Sequence, residues 1–187
     1  MYIPFNIKYR PKNINEIIGQ KNIKILIKKF IQNIQRGNSS EAIALLKKNQ
    51  DLAFSTVSSP PKKYDGQTLL QIAFRNGAFK IANALMEYGA NVNFIEKSKI
   101  NKWRAPVLHD AIIAIVWSTL EQSENCCDNL IKSLEKMLNL GADPNCKDSY
   151  GTCTFSRLMF ESSKRTDDVY LDCTYKDRNS YLKFIKR

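Results

Sequence analysis

DGQTLLQIAFRNGAFKIANALMEYGANVN, from Asp65 to Asn93, is the stretch of sequence that decides the fold. It places a turn, a short helical pattern, a glycine and a second helical pattern within about 30 residues. The hydroxyl of Thr68 is positioned to cap the first helix, and Gly77 interrupts that helix. Gly89 suits the left-handed conformation in which helices commonly end. The segment therefore predicts a helix–turn–helix unit.

The second helix of this unit has an apolar face that the unit cannot cover by itself. Ile81, Leu85 and Met86 are spaced at i, i+4 and i+5, which places them on one side of a helix. On the first helix, Ala73 is small enough for a neighbouring helix to approach closely. A second unit of the same kind is therefore expected to stack against this one.

The segment resembles the ankyrin repeat. Its matches to the family opening D-x-x-G-x-T-P-L-H-x-A-A-x-x-G are Gly66, Thr68, Leu70, Ala73 and Gly77. Its matches to the closing L-L-x-x-G-A-x-V-N are Leu85, Met86, Gly89, Ala90, Val92 and Asn93. The usual Pro and His are replaced by Leu69 and Gln71. The resemblance implies an all-α solenoid that binds a partner protein through a concave surface of finger-like turns and first helices.

Weaker copies flank this repeat. Upstream, Gly37 occupies the position of Gly77 in a degenerate first repeat. Downstream, PVLHDA and NLGADPN open and close a third repeat, which carries 14 extra residues. Both of its helices are expected to be lengthened, with Ser123 to Asp128 as the join. KDSYGTCTF then opens a divergent last repeat, with SYLKFIKR as its second helix.

Together these copies predict about four helix-turn-helix repeats, with an insertion in the third and atypical terminal repeats. The repeat domain covers residues 20–187, and a basic N-terminal extension precedes it at residues 1–19. The predicted repeat boundaries are 20–54, 64–94, 103–146 and 148–187. Because the chain ends on a helical pattern, it could equally be a fragment of a longer array.

Side chains at the outward offsets of the repeat are the predicted contacts with a partner protein. The turn from Phe94 to Trp103 is five residues longer than the family spacing, and long loops often carry function. Trp103 either anchors a partner or folds back against the third repeat, and the sequence leaves both open. The predicted binding residues are Tyr64, Gln67, Arg75, Asn76, Lys97, Lys99, Trp103, Tyr150 and Thr152.

The formal charge of +11 is unevenly distributed. Residues 1–63 hold 12 basic and three acidic residues, whereas residues 64–187 carry a net charge of only +2. An alternative function is therefore binding of nucleic acid or an anionic surface through the N-terminal segment, with the repeats as a scaffold. A solvated face on a capping helix is favoured over this, because no glycine-rich or aromatic-interleaved motif accompanies the charges. The basic residues concerned are Lys8, Arg10, Lys12, Lys21, Lys24, Lys28 and Lys29.

No enzyme and no cofactor are predicted. KYRPKNINEIIGQ resembles the start of clamp-loader ATPases, but the seven glycines never form the phosphate-binding G-x-x-x-x-G-K-[ST]. A metal centre is excluded because the five cysteines lack C-x-x-C spacing and His109 is the only histidine. His109 could pair with a cysteine nucleophile, but at the family's His position it is implied to stabilise the stack.

The chain is expected to be cytoplasmic. The apolar run Ala105 to Leu120 contains His109 and Asp110 and is shorter than the ~20 residues of a membrane span. The N-terminus has no apolar core of a secretory signal. A reducing compartment follows from this, and the five cysteines, odd in number and without C-x-x-C spacing, are expected to be free thiols.

Overall fold

The computed structural model describes residues 18–58, 62–119 and 124–168, with side chains over 23–58, 62–118 and 130–162. These ranges are mostly helical and contain no β-strand, so the predicted all-helical class is confirmed. The α-helices are α1 (Ile18–Gln35), α2 (Ser39–Lys48), α3 (Leu69–Arg75), α4 (Phe79–Glu87), α5 (Val107–Thr119), α6 (Glu124–Asn139) and α7 (Thr154–Asp168). Short 3-10 helices occupy Gln50–Phe54 and Lys62–Tyr64.

The α-helices form two layers. In the first layer α1 packs on α3, α3 on α5 and α5 on α7. In the second layer α2 packs on α4, and α4 on α6. The two layers also contact each other: α1 packs on α2, α3 on α4, and α5 on α6. The described part of the chain is therefore a row of helix pairs that each contact their neighbours.

Local interactions set the ends of α3 and α4, as the sequence predicted. The side chain of Thr68 accepts from the backbone N–H of Gln71 over 3.2 Å, and the Gln71 side chain accepts from the Thr68 N–H over 3.2 Å. This capping box satisfies two N–H groups that a helix start leaves without partners. Gly77 and Gly89 follow the two helices with φ of +65° and +83°, which confirms their predicted role as helix ends.

The core lies between the two layers. Ile81, Leu85 and Met86 on α4 are buried, as their spacing predicted. Ala73 on α3 and Ala111 at the equivalent position on α5 are both fully buried. Because neither carries a side chain larger than a methyl group, neighbouring helices of the first layer can approach closely.

The third unit is longer than the second. Its helices α5 and α6 have 13 and 16 residues, against 7 and 9 for α3 and α4. The predicted lengthening is confirmed, but the predicted join is wrong over its last five residues, because α6 already begins at Glu124. Polar and acidic residues are compatible with the first turn of a helix, so the polar run did not by itself mark a loop. Ser123, SYLKFIKR and residues 1–17 lie outside the described residues.

Three turns, here called fingers, lead into α3, α5 and α7. Finger A comprises residues 56–58 and 62–68, finger B residues 95–106 and finger C residues 147–153, and each is closed by an isolated antiparallel bridge between its end residues. The backbone N–H of Lys97 donates to the Gly66 carbonyl over 3.0 Å, and that of Ser149 donates to the Arg104 carbonyl over 3.1 Å. The fingers therefore form one continuous edge of the first layer.

Candidate functional site

Arg75, the last residue of α3, joins two acidic side chains from the next unit. Its Nε donates to Oδ1 of Asp110 on α5 over 2.8 Å, and its Nη2 lies 2.8 Å from Oε2 of Glu96 on finger B. The Asp110 and Glu96 side chains are buried, whereas 25% of the Arg75 side chain remains exposed. Arg75 therefore ties its own unit to the following helix and finger while it still reaches the surface.

Burial and pairing act in opposite directions on this cluster. Complete burial raises the pKa of Asp110 to about 6, although hydrogen bonds from Arg75 and Gln71 stabilise the charged form. Burial alone would lower the pKa of Arg75, but Asp110 and Glu96 together raise it above its ordinary value. The guanidinium therefore stays charged. Removal of it would leave two buried carboxyl groups without their main partner.

Trp103 on finger B stands beside two arginines from different units. Its ring centroid is 5.5 Å from the guanidinium carbon of Arg75 and 4.9 Å from that of Arg157 on α7. Both distances lie within the range of cation–π attraction. The half-buried indole also donates from Nε1 to Oδ2 of Asp148 on finger C over 2.8 Å. Arg75, Trp103 and Arg157 form what we call the Arg–Trp–Arg cluster.

Asp148 is the acidic centre of finger C. Its Oδ2 lies 2.6 Å from Nη2 of Arg157, and its Oδ1 accepts from the backbone N–H groups of Tyr150 and Thr152 over 2.9 and 3.0 Å. Burial alone would raise the pKa of this carboxyl, but the hydrogen bonds from Trp103, Arg157 and the two backbone amides lower it to about 2. Asp148 is thus held as a carboxylate at all physiological pH values.

An open cleft of about 470 Å³ lies next to the Arg–Trp–Arg cluster, between the end of α3 and the outer part of α5. The Trp117 side chain on α5 is 48% exposed at its wall. Trp103 and Arg75 line the same cleft, which therefore combines two indoles and a guanidinium. The remaining lining residues are Phe74, Asn76, Gly77, Asp110, Ile113, Ala114 and Ser118.

Gln71 and His109 occupy the same position in successive units, and each bonds forward to the next unit. Gln71 Nε2 donates to the Ala105 carbonyl and to Asp110 Oδ2, each over 2.9 Å. His109 Nε2 lies 3.1 Å from the Thr154 hydroxyl on α7. Burial lowers the pKa of His109, and Asp148 and the Cys146 backbone, which act to raise it, offset only part of that decrease. His109 is therefore a neutral, fully buried link in the stack, which agrees with its structural interpretation.

A thiol also approaches this link. The Sγ of Cys146 is 3.4 Å from the Thr154 hydroxyl, which stands between the thiol and His109. Burial raises the pKa of Cys146 above its ordinary value, so its reactive thiolate form is disfavoured at neutral pH. The geometry suits packing better than nucleophilic attack, because no direct hydrogen bond joins the thiol to the imidazole among the described side chains.

Metal and membrane features are absent from the described ranges. No group of three or more His, Cys, Asp or Glu residues there could hold a metal ion. None of the helices in those ranges is both long enough and apolar enough to cross a bilayer. On α1, Lys24, Lys28 and Lys29 are exposed. Their exposure is expected both for a solvated helix face and for an anion-binding face, so it does not distinguish the two. The other N-terminal basic residues named above lie outside the described side chains.

The structure separates the predicted binding residues into three groups. Arg75, Asn76 and Trp103 line the cleft together. Lys97 and Lys99 are exposed on finger B, and on finger C Tyr150 is 66% exposed while Thr152 is half-buried. Seven of the nine residues are thus at least partly exposed on finger B, on finger C or in the cleft, whereas Tyr64 and Gln67 on finger A are buried.

Tyr64 and Gln67 need correction. Tyr64 is 5% exposed and its hydroxyl accepts from Nε2 of Gln35 over 2.9 Å. Gln67 is fully buried and its Nε2 donates to the carbonyl of Lys63 over 3.0 Å. Both positions point outward in the repeat pattern, but here Tyr64 bonds to α1 of the first unit and Gln67 bonds within finger A. They offer almost no surface to a partner.

Four residues of this region escaped the sequence interpretation: Asp110, Trp117, Asp148 and Arg157. Trp117 lies in the lengthened part of α5, beyond the position where α3 ends, so the predicted lengthening was a signal that could have found it. Asp110 gave no local signal, because its partners Gln71 and Arg75 lie in the preceding unit. Asp148 and Arg157 pair within one unit across nine residues, but their contacts with Trp103 cross to the preceding one.

Comparison with known proteins agrees with this geometry. The family model of the ankyrin repeat matches residues 65–97, which comprise α3, α4 and the start of finger B. A search of curated proteins found no match to the chain. Residues 65–97 of this chain are therefore an ankyrin repeat, and the family resemblance read from its sequence is confirmed.

Proposed function

We propose that this chain is a non-catalytic protein-interaction module that binds its partner through the finger edge and the adjacent cleft. The observation that carries the proposal is the cleft itself, where the 48% exposed Trp117 faces the same space as Trp103 and Arg75. Trp and Arg side chains concentrated around a concave site are typical of the centres of protein–protein interfaces. Ankyrin repeats in general are protein-binding modules, which supports the same assignment.

We also propose that the matched repeat is one of four. The stacking of α1–α2, α3–α4 and α5–α6 as successive pairs supports repeats at 20–54, 64–94 and 103–146. Finger C and α7 support the start of a fourth at residue 148. Residues 1–19 remain a proposed extension. In such an array the first helices and fingers share one face, so the cleft and the finger edge are parts of one surface.

The proposal that the module is non-catalytic rests on the state of His109 and Cys146, which contact the same threonine. His109 is fully buried, and Cys146 has a raised pKa and contacts a threonine.

The free thiols of Cys146 and Cys153 fit the reducing cytoplasm, which we propose as the setting of the protein.

Site-specific photo-cross-linking tests the binding face. A photoreactive amino acid is placed at Asn76, Lys99 or Tyr150 on the proposed surface, and at Lys80 or Lys132 on the second layer as controls. All five side chains are exposed, so the controls match in accessibility. Each variant is irradiated in an extract of the cells that produce the protein, and cross-linked proteins are identified by mass spectrometry.

The surface positions are expected to capture one common protein that the second-layer positions do not capture. Capture of that protein from Lys80 or Lys132 alone would place the interface on the other layer. Absence of a cross-linked protein at all surface positions would contradict the proposed function itself.

A further inference from the structure

The finger edge carries many exposed positive charges. On fingers A and B the exposed basic side chains are Lys62, Lys63, Lys97, Lys99, Lys102 and Arg104. Lys147 adds an exposed ammonium on finger C. Because backbone hydrogen bonds connect finger A to finger B and finger B to finger C, these charges lie along one edge.

The acidic residues on the same turns do not offset this charge at the surface. Glu96 and Asp148 are buried and paired with Arg75 and Arg157, which come from helices. Asp65 on finger A accepts hydrogen bonds from the Ser98 hydroxyl and the Lys99 backbone N–H. The acidic residues from position 64 onward nearly balance the basic ones in the charge count. Some of these acids are buried, however, while the lysines of the fingers face solvent.

The basic finger residues are also without acidic partners of their own. None of the seven forms an ion pair within 4.0 Å with an acidic residue of the described ranges. Like charges held at one edge repel one another, and an opposite charge from outside relieves that repulsion. The edge is therefore electrostatically complementary to a negatively charged surface.

Exposed apolar side chains stand among the charges. Ile95 and Ile100 on finger B are 45% and 48% exposed, and Tyr150 on finger C is 66% exposed. Lys97, Lys99 and Ile100 line a shallow cleft of about 410 Å³ between fingers A and B. Isoleucine gains from apolar contact with another protein, whereas strands of nucleic acid are bound mainly by phosphate contacts and by stacking on aromatic rings.

We infer that the partner presents an acidic segment that also carries aliphatic side chains, and that this segment lies along the finger edge. The inference rests on the proposed function, since it assigns the chemistry of the partner to the same surface. Complementary charges of this kind chiefly raise the association rate and select the partner, while the aliphatic contacts hold it.

Fluorescence anisotropy with a defined peptide tests the inference on the full chain. The probe is a labelled peptide of repeated Asp-Glu-Leu units, and its neutral counterpart has Asn-Gln-Leu units. The finger variant combines Lys97→Glu, Lys99→Glu and Lys102→Glu. The matched control combines Lys48→Glu, Lys80→Glu and Lys132→Glu, which changes the same net charge on exposed second-layer positions. Circular dichroism and thermal melts confirm that both variants fold.

The acidic peptide is expected to bind at least about tenfold more tightly than the neutral one at ~0.15 M salt. The finger variant should lose about tenfold or more in affinity, and the control variant less than about twofold. Equal losses in the two variants would show that only net charge matters, and the inference would fail. Tighter binding of single-stranded DNA or of anionic lipid vesicles, with the same finger dependence, would also overturn it in favour of those ligands.

The two levels of the proposal fail differently. If cross-linking captures a partner on this face but the finger variant binds that partner as tightly as the unaltered chain, the acidic-segment inference is wrong and protein binding stands. If cross-linking captures nothing on this face, the proposed function is wrong whatever the peptide does.

Discussion

The indole Nε1 of Trp103 donates a hydrogen bond of 2.8 Å to Oδ2 of the buried Asp148, which joins finger B to finger C. The sequence left open whether Trp103 packs or binds. The structure shows that its polar edge packs, while its ring lines the cleft with Arg75. Any substitution of Trp103 therefore acts on stability as well as on the proposed surface.

Trp103→Phe is expected to lower the free energy of unfolding by about 2 kcal/mol, because a hydrogen bond to a buried carboxylate is lost while a ring remains beside the arginines. Trp103→Ala should cost about 3 kcal/mol, since the ring contacts are lost as well. Urea denaturation measures both. Tyr150→Phe in the same protein is the control, with a change below about 0.5 kcal/mol expected at this 66% exposed position. An unchanged urea midpoint for Trp103→Ala would show that the Asp148 bond contributes nothing.

Arg75→Met is expected to destabilise the chain by about 3 kcal/mol or more, because it leaves the buried Asp110 and Glu96 without a cation. Adding Asp110→Asn and Glu96→Gln should recover part of that loss, since neutral side chains cost less to bury. The coupling is read from chemical denaturation of the single and combined variants. Additive losses, with no recovery in the combined variant, would mean that the ion pairs are not energetically coupled.

Acid should weaken the junction at Asp148. Its folded pKa of about 2 lies below the ordinary 3.8, so its contribution is present above pH ~4 and is lost as the pH falls towards 2. The shift corresponds to a contribution on the order of 2 kcal/mol. The measurement is the difference in unfolding free energy between the unaltered chain and Asp148→Asn, recorded from pH 2 to pH 5. That difference should shrink with acidification, and a constant difference over this range would contradict the assigned pKa.

Gly66→Ala should destabilise the chain by about 2 kcal/mol or more, because a Cβ there would collide with the backbone of Lys97 and Ser98 at φ +74°. Gly77→Ala is the matched control, since Gly77 has φ +65° but open space around the added atom. Its cost should be only the left-handed penalty of about 1 kcal/mol. Thermal or urea unfolding compares the two. Equal losses would indicate that fingers A and B are not packed as closely as described.

The helices were predictable because their signals are local. The reciprocal bonds of Thr68 and Gln71 connect residues three apart, and the glycines that end α3 and α4 act on their own turns. The apolar spacing on α4 likewise predicted its buried face. The join to α6 was misplaced because polar residues occur both in loops and in the first turns of helices.

The sequence by itself determined the helix–turn–helix unit, its caps and its need for neighbours, because capping and helical periodicity act over a few residues. The tertiary structure alone decided which charges face inward. Arg75 reaches Glu96 and Asp110 across 21 and 35 residues, and Trp103 reaches Asp148 across 45. Such pairs depend on how one unit packs on the next, which the sequence does not show. A charge count along the chain therefore cannot distinguish a buried acid from an exposed lysine. The basic character of the finger edge emerges only when the acids are seen paired beneath it.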